Sequence, residues 1–219
     1  MKKSLRILVF GAGGRTGREV VLQALEAGHS VTAFVRTMPE HSALPLHEKL
    51  HFITGDARNY TNVLQAMSDQ DAVINVIAPK LGDSANYDIS LVATRNIIQA
   101  MQEQGIKRYQ GQSGAWATEY LEDASIPMRI AFSLFAPIKN IYAFKKLEDT
   151  EVKQSNLDWT LVRCGLLTDK AQAPVKVSMV HRKCGPFEIP KVSRKSVAAF
   201  HVSILANEAF YKQTPVIVN

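Results

Sequence analysis

Short apolar runs alternate along the chain with longer stretches in which apolar residues recur at helical spacing. Short runs rich in Val, Ile and Leu predict strands that are covered on both faces by helices. Such runs predict six strands, at Arg6–Phe10, Ser30–Val35, Leu50–Thr54, Ala72–Ile77, Ile106–Gly111 and Leu157–Arg163. Their alternation with helical stretches predicts an α/β fold built on a doubly wound parallel sheet.

Amphipathic helices are predicted between these strands. Small and apolar residues from Gly17 to Gly28 fall on one helical face, and those from Ile89 to Met101 do the same. Near the end of the chain, Ser193 predicts the N-cap of a further helix. The inner face of that helix would consist of Val197, Phe200, His201 and Ile204.

One domain is predicted over residues 1–219, because no long linker, repeat or low-complexity tract divides the chain. The longest irregular stretches are 36–49 and 114–140, and loops of that length are often functional. We expect substrate-side elements at about 114–140 and 165–192. No apolar run approaches the roughly 18 residues of a membrane span, and the run after the basic start is too short for a signal peptide. We therefore expect a cytoplasmic protein without a membrane partner.

The composition fits an ordinary globular protein, with 46% hydrophobic and 21% charged residues. The formal net charge is +6, but the basic residues are scattered, and no nucleic-acid-binding signature accompanies them. A modest positive field suits an anionic small molecule, and we expect no nucleic-acid partner. The two cysteines, Cys164 and Cys184, give no disulfide framework and are expected to be small buried apolar residues.

A glycine-rich loop with the sequence Gly-Ala-Gly-Gly-Arg-Thr-Gly lies between the first predicted strand and the first predicted helix. Gly11 would allow a tight turn, Gly14 would let the backbone approach a pyrophosphate, and Gly17 would let helix and strand pack closely. The helix start would offer free N–H groups to phosphates. In this strand–loop–helix context the pattern predicts a dinucleotide cofactor. Its binding residues would be Gly11, Gly13, Gly14, Arg15, Thr16 and Gly17.

The end of the second strand indicates which dinucleotide is bound. NAD-binding units place an acid about 20 residues after the glycines, to bind the ribose 2′-hydroxyl. No acid occurs from Ala27 to Pro39, and the strand closes with Arg36. Arg36 and Arg15 are both suited to a 2′-phosphate, which predicts NADP(H). The alternative is that both are ordinary surface arginines.

With these motifs the chain resembles the atypical short-chain dehydrogenases/reductases, a Rossmann-type family with a GxxGxxG loop. Within that group it is similar to the NAD(P)H-dependent flavin reductase and biliverdin reductase B type, and to nitrogen-metabolite-regulator-like (NmrA-like) proteins. The resemblance covers nearly the whole chain. It rests on residues Ile7–Gly17, Val35-Arg36, Gly55-Asp56, Asp71–Ile74, Ser113, Ser155–Arg163 and Val192–Phe200.

The resemblance assigns further cofactor contacts. It implies that Asp56 and Ala57 border the adenine, and that Ser113, after the fifth strand, lies near the nicotinamide. It also implies that the segment after strand four lines the cofactor, at Ile77, Ala78 and Pro79. Cys164 departs from the pattern, because relatives usually have proline there, in an Arg-Pro-Gly sequence. Relatives of this size are often monomers, so the resemblance implies a monomer.

The candidate catalytic residues are Ser113, Tyr142 and Lys145. In typical short-chain dehydrogenases a Tyr-x-x-x-Lys pair protonates the carbonyl oxygen, and Tyr142 and Lys146 have this spacing. The resemblance, however, places the family's lysine on Lys145 and its tyrosine on Ile141. Tyr142 is therefore either a catalytic acid or an aromatic residue with a structural role on its helix.

The resemblance implies an oxidoreductase that transfers a hydride from NADPH to a flavin, quinone or other conjugated acceptor. In such an acceptor the charge is delocalised and solvent can supply the proton, so positioning two π systems is the main requirement. Relatives can carry a histidine where this chain has Asp149. Five aromatic residues would either stack on a flat substrate or belong to the core: Tyr87, Trp116, Phe132, Phe135 and Tyr142.

Two alternatives stay open. The first is a non-catalytic NADP(H)-binding redox sensor of the NmrA-like type, and the second is reduction of an ordinary carbonyl by Tyr142 and Lys146. A zinc site is not expected. His47-Glu-Lys-Leu-His51 matches the zinc-protease motif, but that motif requires a helix, whereas His51 opens a predicted strand.

Overall fold

The computed structural model describes residues 4–38, 44–80, 82–114, 136–179 and 190–219, except for the side chains of residues 136–139 and 142. In this part of the chain the strands are β1 (Arg6–Phe10), β2 (Ser30–Val35), β3 (Leu50–Thr54), β4 (Ala72–Asn75), β5 (Arg108–Gly114), β6 (Asp158–Cys164), β7 (Leu166–Thr168), β8 (Lys176–Ser178), β9 (Lys191–Ser193) and β10 (Val216–Val218). The α-helices are α1 (Arg15–Glu26), α2 (Tyr60–Ala66), α3 (Ile89–Glu103), α4 (Ala136–Gln154) and α5 (Arg194–Ser203).

Eight strands form one sheet in the order β3-β2-β1-β4-β5-β6-β10-β8, and β7 pairs with β9 separately. All neighbours in the large sheet are parallel except β8, which runs antiparallel to β10. The strand order reverses at β1, with β2 on one side and β4 on the other. This Rossmann-type sheet confirms the predicted fold class. Ligands of such sheets bind outside the carboxyl ends of the strands at the reversal.

Apolar side chains fill both faces of the sheet. One cluster joins Phe10 and Leu161 to α2 and α3 residues such as Val63 and Ile97. The other joins Ile7 to Val20 and Val21 of α1 and to Ala198 of α5. The helices therefore cover the sheet on both sides, as the apolar strands require.

Most of the predicted elements are confirmed, with shifts at some ends. The predicted bounds of β1, β2 and β3 agree with the structure, but β4 ends at Asn75 rather than Ile77. There the Asn75 side chain accepts a hydrogen bond from the Ile77 N–H group and ends the strand. β5 begins at Arg108 and continues to Gly114, because its polar end pairs with β6.

The helices follow their predicted faces. Ser193 caps α5 by accepting a hydrogen bond from the Ser196 N–H group, and the inner residues Val197, Phe200 and Ile204 are buried. The predicted irregular stretch 114–140 is wrong at its end, because α4 begins at Ala136. Residues 115–135 of that stretch lie outside the described residues. Within the described ranges, no helix is long and apolar enough to cross a membrane.

Candidate functional site

The glycine loop connects β1 to α1 and contains two glycines that the fold itself requires. Gly11 has φ +81°, and a Cβ there would lie 3.0 Å from the Ile77 nitrogen. A Cβ at Gly17 would lie 2.1 Å from the Gly11 carbonyl oxygen. Larger residues at either position would push α1 away from the sheet or distort the turn. The predicted roles of Gly11 in the turn and Gly17 in packing agree with this geometry.

Gly13 is a different case, because the fold does not require a glycine there. A Cβ at Gly13 would have Val35 Cγ1 as its nearest neighbour, at 3.9 Å, which is ordinary contact. Gly13 and Gly14 are exposed, and Gly14 is the N-cap of α1 without a side-chain cap. The first N–H groups of α1 have no intrahelical acceptors. The loop therefore fits a group that approaches the backbone closely and accepts hydrogen bonds from N–H groups, as a pyrophosphate does.

Arg36 and Asp56 lie side by side at the edge of the sheet next to this loop. Arg36 directly follows β2 and is exposed. The Gly55 N–H group donates to the Val35 carbonyl at 2.9 Å, which holds the start of the Asp56 turn beside Arg36. The Asp56 carboxylate accepts a hydrogen bond from the Arg58 N–H group and so shapes the turn into α2. Ala57, predicted beside the adenine, is buried, whereas Asp56 is exposed.

Arg15 forms a salt bridge with another side chain of the protein. Its guanidinium donates to Asp169 at 2.9 Å, and Arg194 donates to the other oxygen of the same carboxylate at 2.6 Å. Both Arg15 and Asp169 are largely exposed. The structure thus ties Arg15 to the residue after β7, and of the two predicted arginines only Arg36 is without a side-chain partner among the described residues. Thr16, also predicted at the cofactor, is buried in the first turn of α1.

The segment Ile77-Ala78-Pro79 follows β4 and adjoins the glycine loop, as the close approach of Gly11 to Ile77 shows. Ala78 is exposed, and Ile77 and Pro79 are partly exposed. Below this segment, the buried Asn75 donates to the Thr94 hydroxyl at 2.9 Å and to the Tyr109 hydroxyl at 3.2 Å. The hydrogen bonds of Asn75 therefore hold the end of β4 in place, while residues 77–79 remain at least partly exposed beside the glycine loop.

Ser113 lies at the carboxyl end of β5 and contacts a residue that sequence reasoning did not connect with it. The Ser113 hydroxyl lies 3.0 Å from each carboxylate oxygen of Asp149 on α4. Both side chains are buried. Burial raises the pKa of Asp149 to about 6, with the neighbouring Glu148 carboxylate adding to the effect, while Lys145, Arg163 and the Ser113 hydrogen bond oppose it.

Charged side chains surround this pair. Lys145 donates to Glu148 at 2.7 Å, and Glu148 is almost fully buried. The guanidinium of the buried Arg163 on β6 lies 3.9 Å from Asp149 Oδ2. The structure therefore brings the predicted residues Ser113 and Lys145 into one cluster with Asp149, Glu148 and Arg163. The signal in the sequence was three charged residues on one helix, at 145, 148 and 149, preceding a strand that ends in arginine.

Most of the other predicted residues near the substrate lie outside the described part of the chain. Tyr142 lies on α4, but its side chain lies outside the described residues, as do Trp116, Phe132, Phe135 and Cys184. Tyr87 is buried, and its hydroxyl accepts a hydrogen bond from the Gly82 N–H group.

Cys164 and the two histidines of the zinc-protease motif have local explanations. Burial raises the pKa of the Cys164 thiol to about 12, so it stays protonated at neutral pH, and the expectation of a small buried residue is confirmed. His47 lies in an irregular segment and accepts a hydrogen bond from the Lys49 N–H group. His51 lies on β3. The helix that the zinc motif requires is therefore not formed.

Comparison with known proteins identifies the family. The NAD(P)H-binding family matches residues 11–208, which is most of the chain. The chain belongs to this family. The match begins at the glycine loop and extends past α5, so it includes the residues that form the described edge of the sheet. The dinucleotide cofactor predicted from the glycine loop is thereby confirmed as NAD(P)H.

Individual relatives resemble this member of the NAD(P)H-binding family to different extents. The photosystem II assembly factor Ycf39 of Synechocystis is 27% identical over 160 residues, which are 73% of this chain and 44% of that protein. The chain thus spans less than half of that relative. An anaerobillin reductase, ChuY, from Escherichia coli O157:H7 has a TM-score of 0.77 at 21% identity, over 97% of this chain and 96% of that one.

A short-chain dehydrogenase/reductase from Veillonella parvula, solved in complex with NADP, has a TM-score of 0.76 at 17% identity and covers 99% and 95% of the two chains. At these identities the two structures show a shared fold. The resemblance to atypical short-chain dehydrogenases/reductases is therefore confirmed in its fold, and membership of the NAD(P)H-binding family is shown by the match over residues 11–208.

Proposed function

We propose that this protein is an NADPH-dependent oxidoreductase that transfers a hydride to a flavin, quinone or other conjugated acceptor. The cofactor supplies the hydride when bound. The residues of the chain bind and orient the cofactor and the acceptor. Membership of the NAD(P)H-binding family and the fold shared with an anaerobillin reductase support this reaction class.

The observation that carries the proposal is the arrangement at the carboxyl ends of β1, β2, β4 and β5. The glycine loop lies against the ends of β2 and β4, through Val35 and Ile77, and Ser113 lies at the end of β5, two strands from β1. A dinucleotide at the strand reversal extends across this edge. We infer that its pyrophosphate binds the glycine loop and that its nicotinamide lies toward Ser113.

A conjugated acceptor is favoured over a simple carbonyl because Lys145, the lysine that the resemblance assigns to the tyrosine–lysine pair, is bound to another side chain. Lys145 is held by Glu148 at 2.7 Å. A lysine in this ion pair is less suited to lowering the pKa of a tyrosine or to holding a ribose. Delocalised acceptors depend less on such a pair and more on the position of the two reacting rings.

NADPH is favoured over NADH because of Arg36. It follows β2, is exposed and is without a side-chain partner among the described residues. At this position the NAD-binding members of such folds have an acid. We infer that Arg36 binds the 2′-phosphate, whereas Arg15, which is tied to Asp169, contributes less.

The test combines binding and turnover. We expect NADPH oxidation, followed by absorbance, with FMN, a quinone or a biliverdin and not with an aldehyde. Arg36→Ala should weaken NADPH binding on the order of tenfold or more, since a charge-assisted bidentate contact is lost, and should leave NADH binding nearly unchanged. Arg95→Ala removes an exposed arginine on α3 and serves as the matched control.

Three results would contradict parts of this proposal. Equal use of NADH and NADPH would exclude the role of Arg36. Turnover with the aldehyde alone would favour carbonyl reduction. Tight NADPH binding without oxidation by any acceptor would favour the redox-sensor function.

A further inference from the structure

The pair formed by Ser113 and Asp149 is a buried acid connected to a hydroxyl at the edge where the cofactor binds. Both carboxylate oxygens lie 3.0 Å from the Ser113 oxygen, and Asp149 is 1% exposed. Ser113 ends the buried part of β5, and the next residue, Gly114, is partly exposed. The hydroxyl is therefore the last buried polar group between Asp149 and the end of the strand.

The cations near Asp149 do not form close hydrogen bonds with it. Lys145 donates to Glu148, and the Arg163 guanidinium lies 3.9 Å from Asp149. Among the described residues, the hydroxyl of Ser113 is thus the nearest hydrogen-bonding partner of this carboxyl group. Burial of the carboxyl group favours the protonated acid, whereas the ion pair with Arg163 at 3.9 Å and the nearby Lys145 favour the carboxylate.

Among the described residues, the charged and titratable groups that face Asp149 lie on α4, β6 and β5. Lys145 and Glu148 lie on its own helix, α4, and Arg163 lies on β6. On β5, below Ser113, the hydroxyl of the buried Tyr109 accepts a hydrogen bond from the Asn75 amide. If Glu148 is ionised, the cluster carries a net charge of +1 when Asp149 is protonated and of zero when it is ionised.

We propose that the Ser113 hydroxyl donates the proton that accompanies hydride transfer, and that Asp149 orients this hydroxyl and restores its proton. This inference rests on the proposed reductase function. Ser113 touches the acceptor and is the catalytic residue, whereas Asp149 acts through it and is a positioning residue.

A hydride and a proton together supply all the electrons and protons that the acceptor takes up. The acceptor receives a hydride from NADPH, which becomes NADP⁺, and a proton from Ser113 Oγ. At the same time the O–H bond of the Asp149 carboxyl group breaks and its proton passes to Ser113 Oγ, which leaves Asp149 as a carboxylate. Solvent reprotonates Asp149 before the next turnover. The net change is a two-electron, two-proton-equivalent reduction of the acceptor.

The experiment uses the full chain and whichever of FMN, the quinone or the biliverdin supports turnover. It measures the rate at which bound NADPH reduces this acceptor in a single turnover, as a function of pH. The variants are Asp149→Asn, Ser113→Ala and Ser113→Thr, and Glu151→Gln is the control, because it makes the same carboxyl-to-amide change at an exposed position of α4. NADPH affinity, measured by fluorescence, shows that each variant is folded. Infrared spectroscopy of the cofactor-free protein follows the protonated carboxyl group directly.

We expect the wild-type rate to fall as pH rises through about 6, where Asp149 loses its proton. Asp149→Asn and Ser113→Ala should slow the reaction about 100-fold, as loss of a general acid does, and should flatten the pH profile. Ser113→Thr keeps the hydroxyl and should slow the reaction much less than Ser113→Ala, with the fall in rate near pH 6 still present. The infrared band that titrates in the wild type should be absent in Asp149→Asn and present in Glu151→Gln.

Two results would overturn the inference, and they are distinguishable from failure of the proposed function. Wild-type turnover combined with an unchanged rate and pH profile in Asp149→Asn would exclude the role of Asp149 alone. A wild-type infrared spectrum without a titrating carboxyl band that Asp149→Asn removes would do the same. Absence of turnover in the wild type with every acceptor would instead reject the reductase function, and this inference with it.

Discussion

The two faces of β5 bury polar side chains in different ways. On one face, Ser113 meets Asp149 at the carboxyl end of the strand. On the other face, Arg108 begins the strand and donates to the carbonyl groups of Ile204 and Leu205, at 3.0 and 2.8 Å. The Ser113–Asp149 pair lies near the carboxyl edge of the sheet, where ligands of such folds bind. Arg108 instead binds carbonyl groups at the C-terminal end of α5.

The difference shows that a buried polar cluster is not by itself a functional site. The Arg108 guanidinium also donates to the Asp158 carbonyl and the Thr160 hydroxyl, both at 2.8 Å, and stacks on the Tyr211 ring. Its hydrogen-bonding capacity is used by the fold, and it lies at the amino end of the strand. Among the described residues, Asp149 in contrast has the Ser113 hydroxyl as its hydrogen-bonding partner, with the Arg163 guanidinium at 3.9 Å. Position along the strand therefore separates the proposed reactive group from the structural one.

His201 on α5 contacts the same face of β5 as Arg108, which we call the structural face. It is fully buried, and its Nδ1 atom lies 2.8 Å from Gln110 Oε1. Burial, with a smaller effect of Arg108, lowers the pKa of His201 to about 3. Its pKa therefore moves in the opposite sense to that of Asp149, although in both cases burial favours the uncharged form.

The largest expected effect on stability comes from removing the Arg108 guanidinium on the structural face. Arg108→Met would leave the carbonyl groups at the end of α5 without their donor, and we expect a loss on the order of 3 kcal/mol in the free energy of unfolding. Urea denaturation measures this loss. Arg6→Met removes an exposed arginine that binds Asp69 and Asp71, and should cost much less, because solvent screens exposed ion pairs. Equal losses in the two variants would contradict the structural role of Arg108.

The next effect is the acid sensitivity contributed by His201. The unfolded chain binds a proton at this histidine below about pH 6.5, and the folded chain does so only near pH 3. Stability should therefore fall as pH falls, by on the order of 2 kcal/mol between pH 7 and 5. His201→Gln should remove this part of the slope in urea titrations at several pH values. His51→Gln, at an exposed position on β3, should keep the wild-type slope.

The stability contributed by Asp149, on the other face of β5, should show the opposite pH dependence. The pKa of Asp149 is raised in the folded state, so the folded protein holds an extra proton above pH 4 and loses it near pH 6. Stability from this group should thus fall as pH rises, by about 1 kcal/mol between pH 5 and 8. Asp149→Asn should remove this decrease in thermal unfolding, and Glu151→Gln should not. A decrease of the same size in both would refute the assignment.

The smallest effect is expected where a polar pair is exposed. Arg95 on α3 binds Glu151 on α4 at 2.8 Å, with both side chains partly in solvent. Arg95→Met should change the free energy of unfolding by at most about 0.5 kcal/mol, and the change should shrink at high salt. A larger loss in urea denaturation would mean that the two helices depend on this pair rather than on their buried residues.

The cofactor half of the site was predictable because it depends on local rules. Gly11 and Gly17 lie at fixed offsets from a strand end, and Arg36 directly follows the next strand, so their predicted roles follow from short segments. The Ser113–Asp149 pair was not predictable, because 36 residues separate its members and only the pairing of β5 with β6 and the packing of α4 bring them together. Tyr142 and Lys146 match a catalytic spacing, yet spacing along one helix does not fix which side chain faces the sheet.

The sequence by itself determined the α/β class, the parallel strands and the NAD(P)H-binding loop, because apolar periodicity and glycine spacing act within one element or between neighbours in the chain. Only the tertiary structure decided that Arg15 pairs with Asp169, that Lys145 pairs with Glu148, and that Asp149 reaches Ser113. Partner choice and pKa depend on distance and burial in three dimensions. Those quantities arise only when separate elements pack against one another.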